Sequence, residues 1–291
     1  MTGVATMRRP RSLTEAIDTL AASPGADLLA GGTDLVPALR TGARPVREMI
    51  SLRRIVELRA RGAAGDWLTI GACATYADLA GWSLAPGLAA TARSVGSPQI
   101  RNTGTVGGAL GTASPRGDLL TFLVAADAGV VVAGPAGQRQ VGIGRFLADR
   151  HRPDELVTAV KLARPCGPQT YLKIGARQTA SIPVASCALV VDRVRRLVRC
   201  AIGGVASRPV RAVAAEDHAT AAADWSTGAL PPDAAQRFGD LVVEAVTTAP
   251  DVAGDDVYAP AAYRSHAAGV LARRASARCL AGTPRPDARR W

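Results

Sequence analysis

Apolar and polar positions follow two periods along this chain. Residues 13–22 carry apolar side chains at helical spacing, and 27–30 is a short apolar run that reads as a strand ending in a Gly-Gly pair. Helical patterns return at 35–41, 76–79 and 87–94, while 49–52 and 67–70 predict strands. Residues 118–128 predict a buried helix, 130–133 a strand, and 138–141 its hairpin partner across Gly134-Pro135. Cys166-Gly167-Pro168 reads as a linker. Beyond it, strands are expected at 170–174, 185–192 and 197–203, then Ala-rich helices at 212–223, 234–249 and 258–277, with a loose tail over 279–291.

Two glycine-rich segments interrupt this pattern. The first is Ala30-Gly31-Gly32-Thr33-Asp34-Leu35; the second is Thr105-Val106-Gly107-Gly108-Ala109-Leu110, which leads into Ala113-Ser114-Pro115-Arg116-Gly117-Asp118. In each, the Gly-Gly pair reads as a tight turn that lets backbone approach a ligand, although ordinary turns use the same pair. Successive N–H groups in such a turn make a concave surface suited to a pyrophosphate, and Thr33, Thr105 and Ser114 add hydroxyl donors. Neither segment has the Gly-x-Gly-x-x-Gly of a Rossmann turn or the Gly-Lys-Ser/Thr of a Walker loop, so a dinucleotide held by another fold is indicated.

Composition narrows the classes. A chain of 291 residues, 48% hydrophobic, can bury a sizeable core. Three Phe, four Tyr and four Trp leave few platforms for stacking nucleic-acid bases. The net charge of +11 is spread over small groups, Arg8-Arg9-Arg11, Arg53-Arg54, Arg193-Arg195-Arg196 and Arg273-Arg274. It reads as a basic solvated surface that docks an acidic partner subunit or attracts an anionic substrate, rather than a nucleic-acid site. Five widely spaced cysteines, Cys73, Cys166, Cys187, Cys200 and Cys279, form no Cys-x-x-Cys and read as buried thiols in a reducing cytosol, with no metal or iron–sulfur site. His151, His218 and His266 have no evident triad partners. Apolar segments break well before twenty residues and the N-terminus lacks a signal stretch, so a cytoplasmic protein without membrane association is expected.

An ordered series of motifs resembles one family. It comprises 30–35; Ile70-Gly71-Ala72 with Tyr76, Asp78 and Leu79; Gln99-Ile100-Arg101-Asn102 running into Thr105-Val106-Gly107-Gly108; and Asp154-Glu155-Leu156-Val157. It continues with 173–177, with Gly203-Gly204-Val205-Ala206 ahead of Pro209-Val210-Arg211-Ala212, and with Tyr263-Arg264. Over nearly its whole length the chain resembles the FAD-binding (medium) subunit of the molybdenum hydroxylases, which include xanthine and carbon monoxide dehydrogenases. The resemblance implies an α+β protein. A two-lobed PCMH-type FAD-binding domain would span 1–164, with lobes of about 1–55 and 56–164 and FAD between them. A small C-terminal α+β domain would span 169–278, with a three-stranded antiparallel sheet and helices on one side.

The resemblance also implies a noncovalent FAD site, because Thr33 stands where some related flavoproteins attach the flavin through His. Asp27, Leu28, Leu29, Ala30, Gly31, Gly32, Thr33, Asp34 and Leu35, with Gly104, Thr105, Val106, Gly107 and Gly108, would wrap the pyrophosphate and ribityl chain, assisted by Thr112 and Ser114. Asp118 would bind ribose hydroxyls or, on the residues alone, cap the helix that begins beside it. Val157 would meet adenine, Lys173 the flavin or its phosphates, and Ile182 the isoalloxazine ring, with Arg177 tuning the flavin. Ala109 for the family's Asn, Gly111 for a bulkier residue and Ser181 for Asp are departures near this site. The implied function is electron transfer from iron–sulfur and molybdenum-cofactor subunits to NAD, a quinone or oxygen. Two alternatives stay open: a stand-alone FAD oxidase or dehydrogenase of a small metabolite, and a degenerate interaction protein without flavin.

Overall fold

The computed structural model describes residues 6–45, 47–149, 152–177 and 180–282. The chain divides into two compact units, one formed by Met1–Trp82, Ala92–Ser114 and Asp127–Arg164, the other by Ser83–Thr91, Pro115–Ala126 and Pro165–Trp291. Two segments that precede residue 165 in sequence thus fold with the C-terminal part.

The first unit begins with a parallel three-stranded sheet in which Met49–Ser51 lies between Met7–Arg8 and Asp27–Leu29. Parallel neighbours need a crossover, and between Asp27–Leu29 and Met49–Ser51 it runs through the helix Leu35–Arg40, while the helix Leu13–Ala22 links the two outer strands. The latter helix is capped at its start. Ser12 starts that helix by accepting the Glu15 N–H at 3.1 Å, while Glu15 Oε2 accepts the Arg11 N–H at 2.7 Å. Ala16 and Leu20 of the helix, Ile50 and Leu52 of the central strand, and Ile55, Leu58, Cys73 and Leu156 make one buried cluster.

The same unit contains an antiparallel sheet of five strands, in the order Arg61–Ala64, Trp67–Gly71, Leu156–Ala163, Gly129–Gly134 and Gly137–Gly142. Leu156–Ala163 alternates buried and half-buried positions along its length, the period of a strand with one face in a core. A bulge between Val131 and Val132 passes over Thr158, so Val132 pairs with Val157 and Val131 with Ala159.

The second unit is built on a sheet in the order Val210–Arg211, Leu197–Gly203, Pro183–Asp192, Gln169–Gly175; the three long antiparallel strands gain a two-residue fourth at one edge. Ala185, Cys187, Leu189 and Val191 point to one face and form a core with Phe238, Val242, Ala268 and Leu271 of the helices Pro232–Thr247 and Ala261–Cys279. Ser186 alternates to the opposite face, where its hydroxyl meets Thr121 Oγ1 at 3.3 Å. Thr121 belongs to the helix Asp118–Ala125, whose eight residues are all buried. The expectation of helices on one side is therefore corrected: a helix from earlier in the chain covers the second face, which is why Pro183–Asp192 is apolar almost without interruption.

Two further expectations change. The tail does not start at residue 279, because Cys279 and Leu280 are 3% exposed and Ala281 bridges to Ala229; residues 283–291 lie outside the described ones, as does His151. Cys166 is exposed, whereas Cys73, Cys187, Cys200 and Cys279 are buried as read. Among the described residues no helix is long and apolar enough to cross a membrane.

Candidate functional site

In the first unit the strand Asp27–Leu29 delivers the first glycine segment to the edge of a cavity. Gly32 has φ +76°, a left-handed conformation that favours glycine. Gly31 is required for a different reason, since a Cβ there would lie 2.2 Å from the Thr103 carbonyl oxygen and 3.1 Å from Gly104 Cα. Gly31 thus packs against the backbone at Thr103 and Gly104, just ahead of the second glycine segment.

Their hydrogen bonding differs. The N–H groups of Gly31, Gly32, Thr33 and Asp34 donate to no described residue. Asp34 occupies the N-cap position of the helix Leu35–Arg40 without a capping hydrogen bond, and accepts the Thr33 hydroxyl at 3.2 Å. The second segment is not the tight turn expected: Gly107 and Gly108 lie in the first turn of a helix, Val106–Thr112. Their N–H groups are committed. Val106 donates to Ala74 O at 3.0 Å, Gly107 to Ala72 O at 2.7 Å, and Gly108 to the Thr105 hydroxyl at 3.1 Å, which caps the helix. Gly107 serves close packing, because a Cβ there would sit 2.8 Å from Ala72 Cβ. Ala72 in turn donates its N–H to Thr158 O at 2.9 Å, tying this helix to the bulge beside Val157.

The cavity, about 190 Å³, is lined by Ala30 and Gly31, by Asn102, Thr103 and Thr105, and by Arg53, Arg59, Cys73, Thr75 and Asp78. Thr75 and Asp78 form a capping box, with Thr75 donating its N–H and hydroxyl to Asp78 Oδ2 at 2.9 and 2.8 Å. Burial works to raise the Asp78 pKa, but these bonds and the charges of Arg61 and Arg59 outweigh it and hold the carboxyl below its ordinary range. Burial pushes the Cys73 thiol up to about 11 against the opposing charge of Arg59. By sequence Arg53 belongs to a basic solvated surface and Arg59 carries no distinguishing motif; the one available signal is the position of both after the central strand Met49–Ser51.

The second unit carries the remaining predicted residues. Asp118 is the first residue of its helix, with Gly117 at the cap, so it is not the N-cap. Its buried carboxylate accepts the Tyr171 hydroxyl at 2.7 Å and the Lys173 ammonium at 2.8 Å, both on Oδ1. Burial, and then the charge of Asp118, hold Tyr171 well above its ordinary pKa. Lys173 also donates to Ser181 O at 3.0 Å, and the Arg177 N–H reaches Ser181 Oγ at 3.4 Å. A short polar cluster thus holds the turn that presents Ile182, which is 59% exposed. Around Gly111 nothing lies within 4 Å of where a Cβ would be.

Residues 3–165 match the family model described as the FAD binding domain in molybdopterin dehydrogenase. The chain belongs to this family. Like other members of the FAD-binding molybdopterin dehydrogenase family it is an FAD-dependent oxidoreductase with a PCMH-type fold. It is 30% identical to the carbon monoxide dehydrogenase medium chain of Afipia carboxidovorans over 94% of this chain and 96% of that one. It is also 30% identical to the glyceraldehyde dehydrogenase medium chain of Sulfolobus acidocaldarius, over 72% and 78% of the two chains. A solved structure of reconstituted CO dehydrogenase from Oligotropha carboxidovorans superposes with a TM-score of 0.86 at 26% identity, covering 97% of this chain and 100% of the other. The residues present fit the family's cofactor: the N–H groups of 31–34 donate to no described residue, and Gly31 lines a cavity that also carries two arginines, a donor set suited to a pyrophosphate.

Proposed function

We propose that this chain is the flavin-bearing subunit of a multi-subunit molybdenum hydroxylase, relaying electrons from an iron–sulfur subunit to NAD, a quinone or oxygen. The observation that carries the proposal is the close packing of Gly31 against Thr103 and Gly104, just ahead of the second glycine segment, together with the undonated N–H groups of 31–34. The likeness to proteins named as medium chains over nearly their full length supports a subunit role.

On this reading residues 1–164, apart from the segments 83–91 and 115–126 that fold with the second unit, form the FAD-binding domain, and residues 169–278 the C-terminal domain. Backbone N–H groups of Gly31, Gly32, Thr33 and Asp34 hold the phosphates, with Asp27, Leu28, Leu29, Ala30 and Leu35 fixing the segment's ends. Gly104 and Thr105 form the facing wall, and the helix from Val106 through Gly107 and Gly108 to Thr112 and Ser114 supports it. Val157 at the bulge supplies the apolar surface for adenine. Asp118, Lys173, Arg177 and Ile182 belong to the second unit and retain only the flavin-contact roles that the resemblance implies. When bound, FAD supplies the one- and two-electron redox chemistry that side chains lack. Thr33 stands where some related flavoproteins attach the flavin through His, which supports a cofactor held noncovalently, and the proposed setting is cytoplasmic.

One observation favours a second reading, a stand-alone FAD oxidase or dehydrogenase: the open space around Gly111 leaves room for a small metabolite. Purification from the native host without tags distinguishes the two. A subunit role requires two further chains and iron–sulfur absorbance to accompany the flavin through successive columns. Flavin on a lone chain that reacts with a metabolite would establish the second reading instead.

A further inference from the structure

We infer that Arg53 and Arg59 form the cationic half of the cofactor site and take the pyrophosphate of the dinucleotide. The inference rests on the FAD reading above and adds to it the charge that the glycine segments do not supply. Both residues line the cavity that Gly31 borders. Arg59 is directed there by its own hydrogen bond, Nη2 donating to the Arg53 carbonyl at 2.5 Å.

Charge balance makes the case. Among the described residues no carboxylate lies within ion-pair distance of Arg53 or Arg59. The acid of the cavity, Asp78, is committed to the Thr75 N–H and hydroxyl and paired with Arg61 at 3.8 Å. The field of Arg59 nonetheless reaches into the cavity, since it acts on both Cys73 and Asp78. Two cations without an ion-pair partner, on the cavity that Gly31 borders, make a site for a dianion, and a guanidinium fork matches phosphate oxygens better than a single ammonium does. The helix Val106–Thr112 cannot substitute for them, because the first three N–H groups of its backbone are already bonded within the protein.

The test is FAD binding to the flavin-free full-length chain, followed by flavin fluorescence at low and high salt. It compares the native sequence with Arg53→Gln, Arg59→Gln, Arg59→Lys and, as a control that does not line the cavity, Arg54→Gln. All three arginines are exposed, so their substitution leaves the core intact. Arg53→Gln and Arg59→Gln are expected to weaken FAD binding about tenfold to a hundredfold at low salt, the range for a charge-assisted hydrogen bond. Their salt dependence should be shallower than that of the native chain, because less charge remains to be screened. Arg59→Lys should recover part of the loss and Arg54→Gln should behave as native. Native-like affinity and salt dependence in both Gln variants would overturn the inference while leaving the FAD reading in place. Calorimetric titration with inorganic pyrophosphate separates the remaining cases. A native chain that binds pyrophosphate but not FAD keeps the anion site and sinks the FAD reading; one that binds neither overturns both.

Discussion

The carboxylate of Asp118 and the ammonium of Lys173, 55 residues apart in sequence, meet at 2.8 Å. The pair joins the helix Asp118–Ala125 to the strand Gln169–Gly175, and the Tyr171 hydroxyl shares the same carboxylate oxygen. Asp118 is 8% exposed, so its charge depends on these partners rather than on water.

Lys173→Met should therefore destabilise the protein by about 2–3 kcal/mol, below the full range for a broken buried pair because the Lys173 side chain keeps some solvent contact. Adding Asp118→Asn should recover part of that loss by removing the uncompensated charge. Urea unfolding of the native chain, both single variants and the double variant measures the coupling; a value under about 0.5 kcal/mol would mean the pair is energetically idle.

Gly31→Ala and Gly111→Ala should act in opposite directions. A methyl at 31 meets the Thr103 carbonyl oxygen at 2.2 Å and must push the two segments apart, with loss of flavin and of about 1–3 kcal/mol of stability. A methyl at 111 meets nothing and improves the helical propensity of Val106–Thr112, for a gain of about 0.5–1 kcal/mol. Thermal melting and the flavin content of the two purified variants check the pair; equal effects would show that the backbone contact at Gly31 is relaxed in solution.

Elements with a strong internal period were legible in the sequence. The helix Leu13–Ala22 and the strand Leu197–Gly203 appear over the residues expected, because each buries an evenly spaced apolar stripe. The strand Leu156–Ala163 also carries a readable alternation, but its first residues were noted only as a motif. The helix Val106–Thr112 was not legible. Its glycines favour a turn by propensity, and only Thr105 and the carbonyls of Ala72 and Ala74, contributed from elsewhere in the chain, make it helical. Arg53 and Arg59 were hidden for a similar reason: nothing local separates an arginine facing a cavity from one facing solvent. The first glycine segment was placed correctly at the end of a strand and the start of a helix.

Acid should unlock the turn at Asp224. Its carboxylate accepts the Ser226 hydroxyl at 2.6 Å, the Thr227 hydroxyl at 2.8 Å and the Ser226 N–H at 2.9 Å. Led by the Ser226 hydroxyl, these bonds lower its pKa from 3.8 to about 2. A carboxyl lowered on folding contributes stability above its unfolded pKa and loses it as pH falls through the folded one. The melting temperature of Asp224→Asn should thus lie below the native value at neutral pH, and the gap should close between about pH 4 and pH 2. A gap independent of pH would assign the effect to something other than this charge.

The central claim is that this chain holds FAD noncovalently through the segment 31–34. Its most direct test is to denature the purified protein in acid and analyse the supernatant. The account predicts a yellow protein that releases about one equivalent of intact FAD per chain and takes it up again after refolding, as expected for a single cofactor site. A colourless protein that cannot be reconstituted, or flavin that stays attached to the precipitated chain, would contradict it.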